Sequence, residues 1–188
     1  GQRSVKVGTR IIAKDANVSN RDESILQAAV RAANCNILIV HCDADHPTPE
    51  KALKERFHPG YELVQKEKEH VCKSLVPIVP VQMTEAWMLA ADYDLLQDVI
   101  GTSMKAQDLG LVNKVKQVES DPDPKQTLKQ ILRRACADRS GRHREVDLDP
   151  LYRPLGRRIN LDRLSNVPSY HRFVSDLTAT FKALNLIQ

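Results

Sequence analysis

Glycine is scarce in this chain, and its positions exclude several kinds of nucleotide site. Only seven of the 188 residues are glycine. None of them is spaced as in a P-loop, a dinucleotide-binding loop or a nucleophile elbow, which need glycine where the backbone turns sharply or approaches a phosphate. A His-Glu-x-x-His zinc motif is absent as well. The sequence therefore excludes nucleotide binding by those routes.

Long apolar segments and clustered cysteines are also missing. The longest aliphatic run is residues 37–40, far short of the roughly 20 residues that span a membrane, and no secretion signal opens the chain. The four cysteines, at positions 35, 42, 72 and 136, are too scattered for a zinc knuckle or a redox pair. We predict reduced thiols in a cytoplasmic protein without membrane partners, with Cys35 and Cys42 buried as small apolar residues.

The first 120 residues alternate between helical and strand patterns. They predict a helix near 20–33, a strand at 37–40 buried on both faces, a helix at 49–57 ended by a Pro-Gly turn, a proline-containing strand at 76–81, and one helix from 84 to about 99. Such alternation is typical of an α/β fold. We predict a small, mainly parallel sheet flanked by helices, with the proline-containing strand at an edge.

The chain changes character near residue 121, where the sequence Asp-Pro-Asp-Pro begins. The pattern predicts a helix at 126–136, arginine-rich loops at 138–168 and a last helix at 169–184. Residues 125–163 carry eleven Lys and Arg against five Asp and Glu, a net charge of +6, whereas the remainder is −2. We predict a single domain with an α/β core at 1–120 and a basic, mainly helical region at 121–188.

Arginine supplies nine of those eleven positive charges. Its planar guanidinium matches phosphate oxygens, so the segment indicates a phosphate-rich partner. The candidate nucleic-acid contacts are Arg133, Arg134, Arg142, Arg157 and Arg158. A solvated face with internal salt bridges would give the same composition, and that alternative stays open.

Acidic residues follow both predicted strands. Asp43 and Asp45 come directly after the first strand, and Glu85 follows the second. The carboxyl ends of parallel strands meet at one edge of a sheet, where ligands bind. Carboxylates there suit Mg²⁺ or Mn²⁺, which keeps positions open for phosphate oxygens. A turn or a helix start would also explain these acids, so the metal site is one of two interpretations.

The residues around these acids resemble a known family. The motifs are IVHCDAD at 39–45, VPVQMTEAWML at 79–89 and DPK at 123–125. They resemble the Toprim domain of topoisomerases, primases and OLD-type nucleases. Over roughly residues 20–185 they are more similar to an uncharacterised bacterial Toprim-like family, itself similar to effectors encoded beside an ABC-type ATPase in anti-phage defence operons.

The resemblance implies a role for each matching residue. Asp43 and Asp45 would be metal ligands, Glu85 a third acid, and Lys125 a contact to the scissile phosphate. It also implies a catalytic glutamate at the end of an earlier apolar strand, which this sequence does not contain ahead of Asp43. We expect either that an amino-terminal β/α unit is missing or that the site is incomplete.

Three functions follow from these patterns. The first is a Mg²⁺- or Mn²⁺-dependent nuclease acting on DNA or RNA, the effector of an anti-phage system with an ABC-type ATPase partner; self-association into a homo-oligomer is left open. The second is a non-catalytic subunit that binds nucleic acid or a partner. The third is a phosphatase of the haloacid dehalogenase type, although Pro47 stands where that class has threonine.

Overall fold

The structure, a computed structural model, describes residues 20–111, 115–136 and 147–187. In chain order its elements are α1 (Arg21–Arg31), β1 (Leu38–His41), α2 (Glu50–Ala52), a π-helix (Leu53–Phe57), α3 (His58–Lys66), β2 (Leu75–Ile78), α4 (Thr84–Leu89), α5 (Tyr93–Ile100), α6 (Ala106–Leu109), a 3₁₀ helix (Val115–Ser120), α7 (Pro124–Ala135), α8 (Asp149–Arg158), α9 (Leu161–Leu164) and α10 (Pro168–Ala183). In this part of the chain, no helix combines the length and apolar character needed to cross a membrane.

The described residues fall into two compact units. The first comprises residues 20–42, 50–79 and 172–187. The second comprises residues 43–49 and the described part of 80–171. Both β-strands belong to the first unit, and the second is helical apart from its loops. The predicted mixed α/β class with a small parallel sheet flanked by helices is confirmed.

Helix α1 of the first unit begins where the sequence predicts. The side chain of Asn20 accepts a hydrogen bond from the backbone N–H of Asp22, which satisfies one free donor of the first turn. Ile25 and Ala29 are buried, and this face packs against α3. Cys35, which follows α1, is exposed, so its predicted burial is wrong. The turn after α1 carries the chain along the surface before β1 begins.

The sheet of the first unit consists of β1 and β2 in parallel, with Leu38 opposite Leu75. Leu38 is buried, but Ile39 is 48 % exposed. The prediction that this strand is buried on both faces is therefore wrong. Burial alternates along β1, as in a strand that packs only one face on the core, because successive side chains point to opposite sides of the sheet.

The Pro59-Gly60 pair does not end a helix, which corrects the predicted turn. The two residues lie in the first turn of α3, which continues from the π-helix to Lys66. Pro59 has no N–H to donate to the preceding turn, and the chain nevertheless stays helical through it. A Cβ added to Gly60 would lie 2.6 Å from Cδ1 of Ile25. The glycine therefore permits the close approach of α3 to α1.

The helix predicted over residues 84–99 is two helices in the second unit. Helix α4 ends at Leu89, and Asp92 caps the start of α5 by accepting a hydrogen bond of 2.9 Å from the N–H of Leu95. The aspartate stabilises this new start. Gly101 ends α5 in the left-handed conformation, as the sequence predicts.

The core of the second unit joins α4, α5, α7 and α8. Leu96, Leu128 and Leu155 are almost completely buried in it. The predicted loops at 138–168 are wrong for the described part, because α8 and α9 lie there. Leu151 and Leu155 give α8 its buried face, although Pro154 and Gly156 disfavour a helix locally.

Candidate functional site

Two backbone segments of the second unit run side by side and carry the predicted acids. The N–H of Ala44 donates to the carbonyl of Pro80 at 3.1 Å, and the N–H of Asp45 donates to the carbonyl of Gln82 at 3.2 Å. The first segment carries Asp43 and Asp45, and the second leads into α4. The backbones of these two stretches therefore lie side by side, and the site itself stays a prediction.

Asp45 and Gln82 both adopt the left-handed backbone conformation. Their φ angles are 47° and 61°. This conformation costs a residue other than glycine roughly 1–2 kcal/mol and persists only where neighbouring structure maintains it. The hydrogen bond between the two residues is part of that structure. Such strained positions occur frequently at functional sites.

Glu85 is the most deeply buried of the three acids. It lies in the first turn of α4 and is 6 % exposed. The hydroxyl of Tyr152 donates a short hydrogen bond to its Oε1 atom. The described Lys and Arg residues form no ion pair with Glu85. The carboxylate is therefore held by a neutral donor and by the positive end of a helix.

The pKa of Tyr152 reflects its burial and its acidic surroundings. Burial raises the pKa of Tyr152 above its usual range, and so do the hydrogen bond to Glu85 and the negative charges of Glu85, Asp149 and Asp43. A phenolate would be repelled by these carboxylates, so the hydroxyl keeps its proton and remains a donor. Asp43 is half-buried, with its Oδ1 atom shielded from solvent. The acid that the Tyr152 hydroxyl hydrogen-bonds is Glu85, to which it donates.

Sequence reasoning missed Tyr152. It is followed by an arginine and lies in the basic region, where proline and glycine suggest a loop. The useful signal was the apolar pair Leu151 and Leu155, which predicts one buried helical face in α8. A tyrosine beside such a face tends to bury its ring and direct its hydroxyl to a polar partner.

Carboxylate oxygens are the ligands that a hard divalent ion such as Mg²⁺ prefers. Among the described residues, no three His, Cys, Asp or Glu side chains are grouped so that they could hold a metal ion. Asp45 is exposed, Asp43 is half-buried and Glu85 is buried. Magnesium is commonly held by only one or two carboxylates, and substrate phosphates and water complete its shell. Two carboxylates fit that pattern, and the three-acid set remains a prediction.

Two of the predicted nucleic-acid contacts have partners within the second unit. Arg134 donates from Nη1 to the carbonyl of Leu109 at 2.9 Å. Arg158 forms an exposed ion pair of 2.6 Å with Asp98. These guanidinium groups bind residues of α6 and α5. Part of the basic region therefore forms contacts within the protein, which is the alternative to phosphate binding given above.

The remaining basic candidates divide by position. Arg133 and Arg157 are exposed, near the carboxyl ends of α7 and α8. Lys125 is exposed in the first turn of α7. Arg142 lies outside the described residues. Arg133, Arg157 and Lys125 are therefore available at the surface for a polyanion.

No protein-family model, curated protein or solved structure matches this chain. The Toprim-like resemblance stays a prediction, and the geometry around Glu85 is the basis for the function that follows.

Proposed function

We propose that this protein is a metal-dependent nuclease that hydrolyses phosphodiester bonds of DNA or RNA with Mg²⁺ or Mn²⁺. The observation that carries the proposal is the buried Glu85 carboxylate, whose Oε1 atom accepts a hydrogen bond from Tyr152. A buried carboxylate costs the fold stability unless its charge is compensated. Such locally unfavourable positions are expected at functional sites.

The proposed roles follow from burial. Asp43 and Glu85 would hold the metal, since Glu85 is buried and Asp43 is half-buried next to Ala44, whose N–H bonds to the segment that leads into α4. Asp45 is exposed on the adjoining turn and would serve as the third acid on the solvent side. Bound there, the ion would polarise the phosphodiester and promote attack by water. Lys125, Arg133 and Arg157 would contact the substrate backbone.

The wider context of the proposal comes from the family resemblance. We propose a cytoplasmic effector that acts with an ABC-type ATPase in anti-phage defence. The basic region of +6 supports a nucleic-acid substrate over a small phosphate ester. The absence of a three-ligand group among the described residues favours a second candidate, a subunit that binds nucleic acid without cutting it.

The test compares cleavage of labelled single-stranded DNA, duplex DNA and RNA with and without Mg²⁺ or Mn²⁺. The variants Glu85→Gln and Asp43→Asn keep side-chain volume and remove one charge each. We expect metal-dependent cleavage by the wild type and its loss in both variants. Asp94→Asn is the matched control, because Asp94 is an exposed acid on α5. It should cut at the wild-type rate.

Each outcome separates the candidates. Equal cleavage by the wild type and both variants would refute the proposed site. Binding of nucleic acid without cleavage at millimolar metal would favour the non-catalytic subunit. Turnover of a small phosphate ester without nucleic-acid cleavage would favour the phosphatase.

A further inference from the structure

We infer that Tyr152 is the positioning residue for Glu85, and this inference rests on the proposed function. Its hydroxyl binds Oε1 of Glu85. That bond fixes the plane of the carboxylate and leaves the other oxygen, Oε2, for the metal. Carboxylates that bind metals are usually held by a hydrogen bond of this kind from a neighbouring group.

The position of the Tyr152 hydroxyl is set by the core of the second unit. Leu151 and Leu155, on the same helix, are buried in the cluster that joins α4 to α8. The partly buried ring of Tyr152 packs against that cluster. Glu85 lies on α4, next to the buried residues Ala86 and Trp87. Helices α4 and α8, which share one core, therefore keep the Glu85 carboxylate within hydrogen-bonding distance of the Tyr152 hydroxyl.

The chemical type of the donor matters as much as its position. Lys or Arg at this place would neutralise Glu85 and compete with a metal ion. A tyrosine hydroxyl satisfies one oxygen and leaves the carboxylate its negative charge. The arrangement therefore holds a buried acid ready for a cation without supplying one.

The test measures Mn²⁺ binding directly, by calorimetry or electron paramagnetic resonance, in addition to cleavage. The variant Tyr152→Phe keeps the ring and removes the hydroxyl. We expect Mn²⁺ to bind it about 10–100-fold more weakly than the wild type. Cleavage by this variant should recover as Mn²⁺ is raised, because ligand orientation is lost while the ligands remain. Loss of fold would not be rescued in this way.

Tyr93→Phe is the matched control. The Tyr93 hydroxyl also donates a short hydrogen bond within the second unit, to the carbonyl of Met104. The control removes a similar hydrogen bond away from Glu85, so Mn²⁺ affinity should stay at the wild-type value. If Tyr152→Phe does not fold, Tyr152→Met replaces it, since a methionine fills irregular space, lacks the hydroxyl and leaves the Glu85 carboxylate unchanged. The same weakening is expected.

The failures of the two proposals are distinguishable. If the wild type binds Mn²⁺ and the folded variant, Tyr152→Phe or its replacement, binds it equally well, the role of Tyr152 is overturned and the nuclease proposal stands. If the wild type binds no Mn²⁺ at millimolar concentration, the metal-dependent function itself fails. Equal weakening by Tyr93→Phe would also overturn the specific role of Tyr152.

Discussion

Tyr152 donates a hydrogen bond to Glu85, a residue 67 positions earlier in the chain. The bond joins α8 to α4 and satisfies a carboxylate that is almost fully buried. It compensates the carboxylate without cancelling its charge. A fold gains little stability from a buried charge held in this way, whereas a metal site requires one. The buried charge of Glu85 therefore adds little to the stability of the fold, although the proposed metal site needs it.

That conflict predicts the effect of neutralising Glu85. The variant Glu85→Gln keeps an oxygen that accepts from Tyr152 and removes the charge. Its free energy of unfolding should equal or exceed the wild-type value, by up to about 1 kcal/mol. Glu85→Ala leaves the hydroxyl without its partner and should lose roughly 1–3 kcal/mol. Urea unfolding measures both. A loss of more than about 1 kcal/mol in Glu85→Gln would mean that the carboxylate is structural.

The approach of the two acidic stretches could be predicted, and the position of Tyr152 could not. Asp43, Asp45 and Glu85 follow apolar strands, and a general rule about the ends of parallel strands brings such residues together. Tyr152 comes close only because α8 packs on α4. Nothing in its local sequence encodes that contact. The rule on parallel strand ends therefore predicts which acidic stretches lie side by side. The contact between α8 and α4 is known only from the structure.

A second prediction concerns two helical glycines. Gly60→Ala would place a Cβ 2.6 Å from Cδ1 of Ile25 and 3.2 Å from the carbonyl oxygen of Asp22. We expect a loss of about 1–3 kcal/mol from this overpacking. Gly156→Ala in α8 meets no atom within 4 Å, so it should gain roughly 0.5–1 kcal/mol from helix propensity. Thermal unfolding of both variants checks the signs, and a stabilising Gly60→Ala would contradict the close packing.

The same residues show why some element boundaries were wrong. A Pro-Gly pair favours a turn locally, but here Gly60 lies in a helix that packs closely on α1. A Cβ at this position would clash with Ile25. In α8, packing of Leu151 and Leu155 overrides the local effect of Pro154 and Gly156. Where local and tertiary preferences agree, as at Asn20 and Gly101, the sequence predicts the helix end correctly.

A third prediction concerns Ser169, which is 5 % exposed. Its hydroxyl accepts from Nε1 of Trp87 at 2.8 Å and donates to Glu119. Ser169→Ala leaves the buried indole N–H of Trp87 without its partner and removes the hydroxyl bond to Glu119, so it should cost roughly 1–3 kcal/mol. In a Trp87→Phe background, which has no indole N–H, the same change should cost less. Ser165→Ala, at an exposed hydroxyl, is the control and should stay within about 0.5 kcal/mol.

Circular dichroism in urea suits this double-mutant cycle, since Trp87 is the only tryptophan and its replacement removes the fluorescence signal. Equal costs of Ser169→Ala in the two backgrounds would show that the serine and the indole are not coupled.

A fourth prediction concerns the thiols. Cys35 and Cys136 are exposed, whereas Cys42 and Cys72 are buried. Burial raises the pKa of Cys72, and the nearby Cys35 adds to the effect. Since the thiolate is the reactive form, a disulfide reagent at neutral pH should modify Cys35 and Cys136 quickly and the other two only after unfolding. Cys35→Ser should lower the number of quickly modified thiols per protein molecule by one, and Cys72→Ser should leave that number unchanged.

The pH dependence of Cys72 has a definite sign. Its folded pKa is raised, so its stabilising contribution is complete below the usual thiol pKa of roughly 8.5 and is lost as the pH rises through the folded value. Cys72→Ser should therefore flatten the fall in stability at alkaline pH, which denaturant unfolding at several pH values measures. A fall as steep as that of the wild type would contradict this assignment.

The last prediction separates substrate contacts from internal support in the basic region. Arg133 and Arg157 are exposed, whereas Arg134 bonds to a backbone carbonyl. If the exposed pair binds phosphates, Arg133→Ala with Arg157→Ala should weaken binding of duplex DNA. It should also reduce the slope of log K against log salt by about 2, close to one unit for each arginine that no longer neutralises a phosphate.

The control variant, Arg21→Ala with Lys54→Ala, removes the same charge from exposed positions of the first unit. Binding isotherms between about 50 and 200 mM salt test this difference, because affinity in that range varies steeply with the number of phosphates that the protein neutralises. Equal slopes for the two double variants would show that net charge alone, and not this surface of α7 and α8, governs binding.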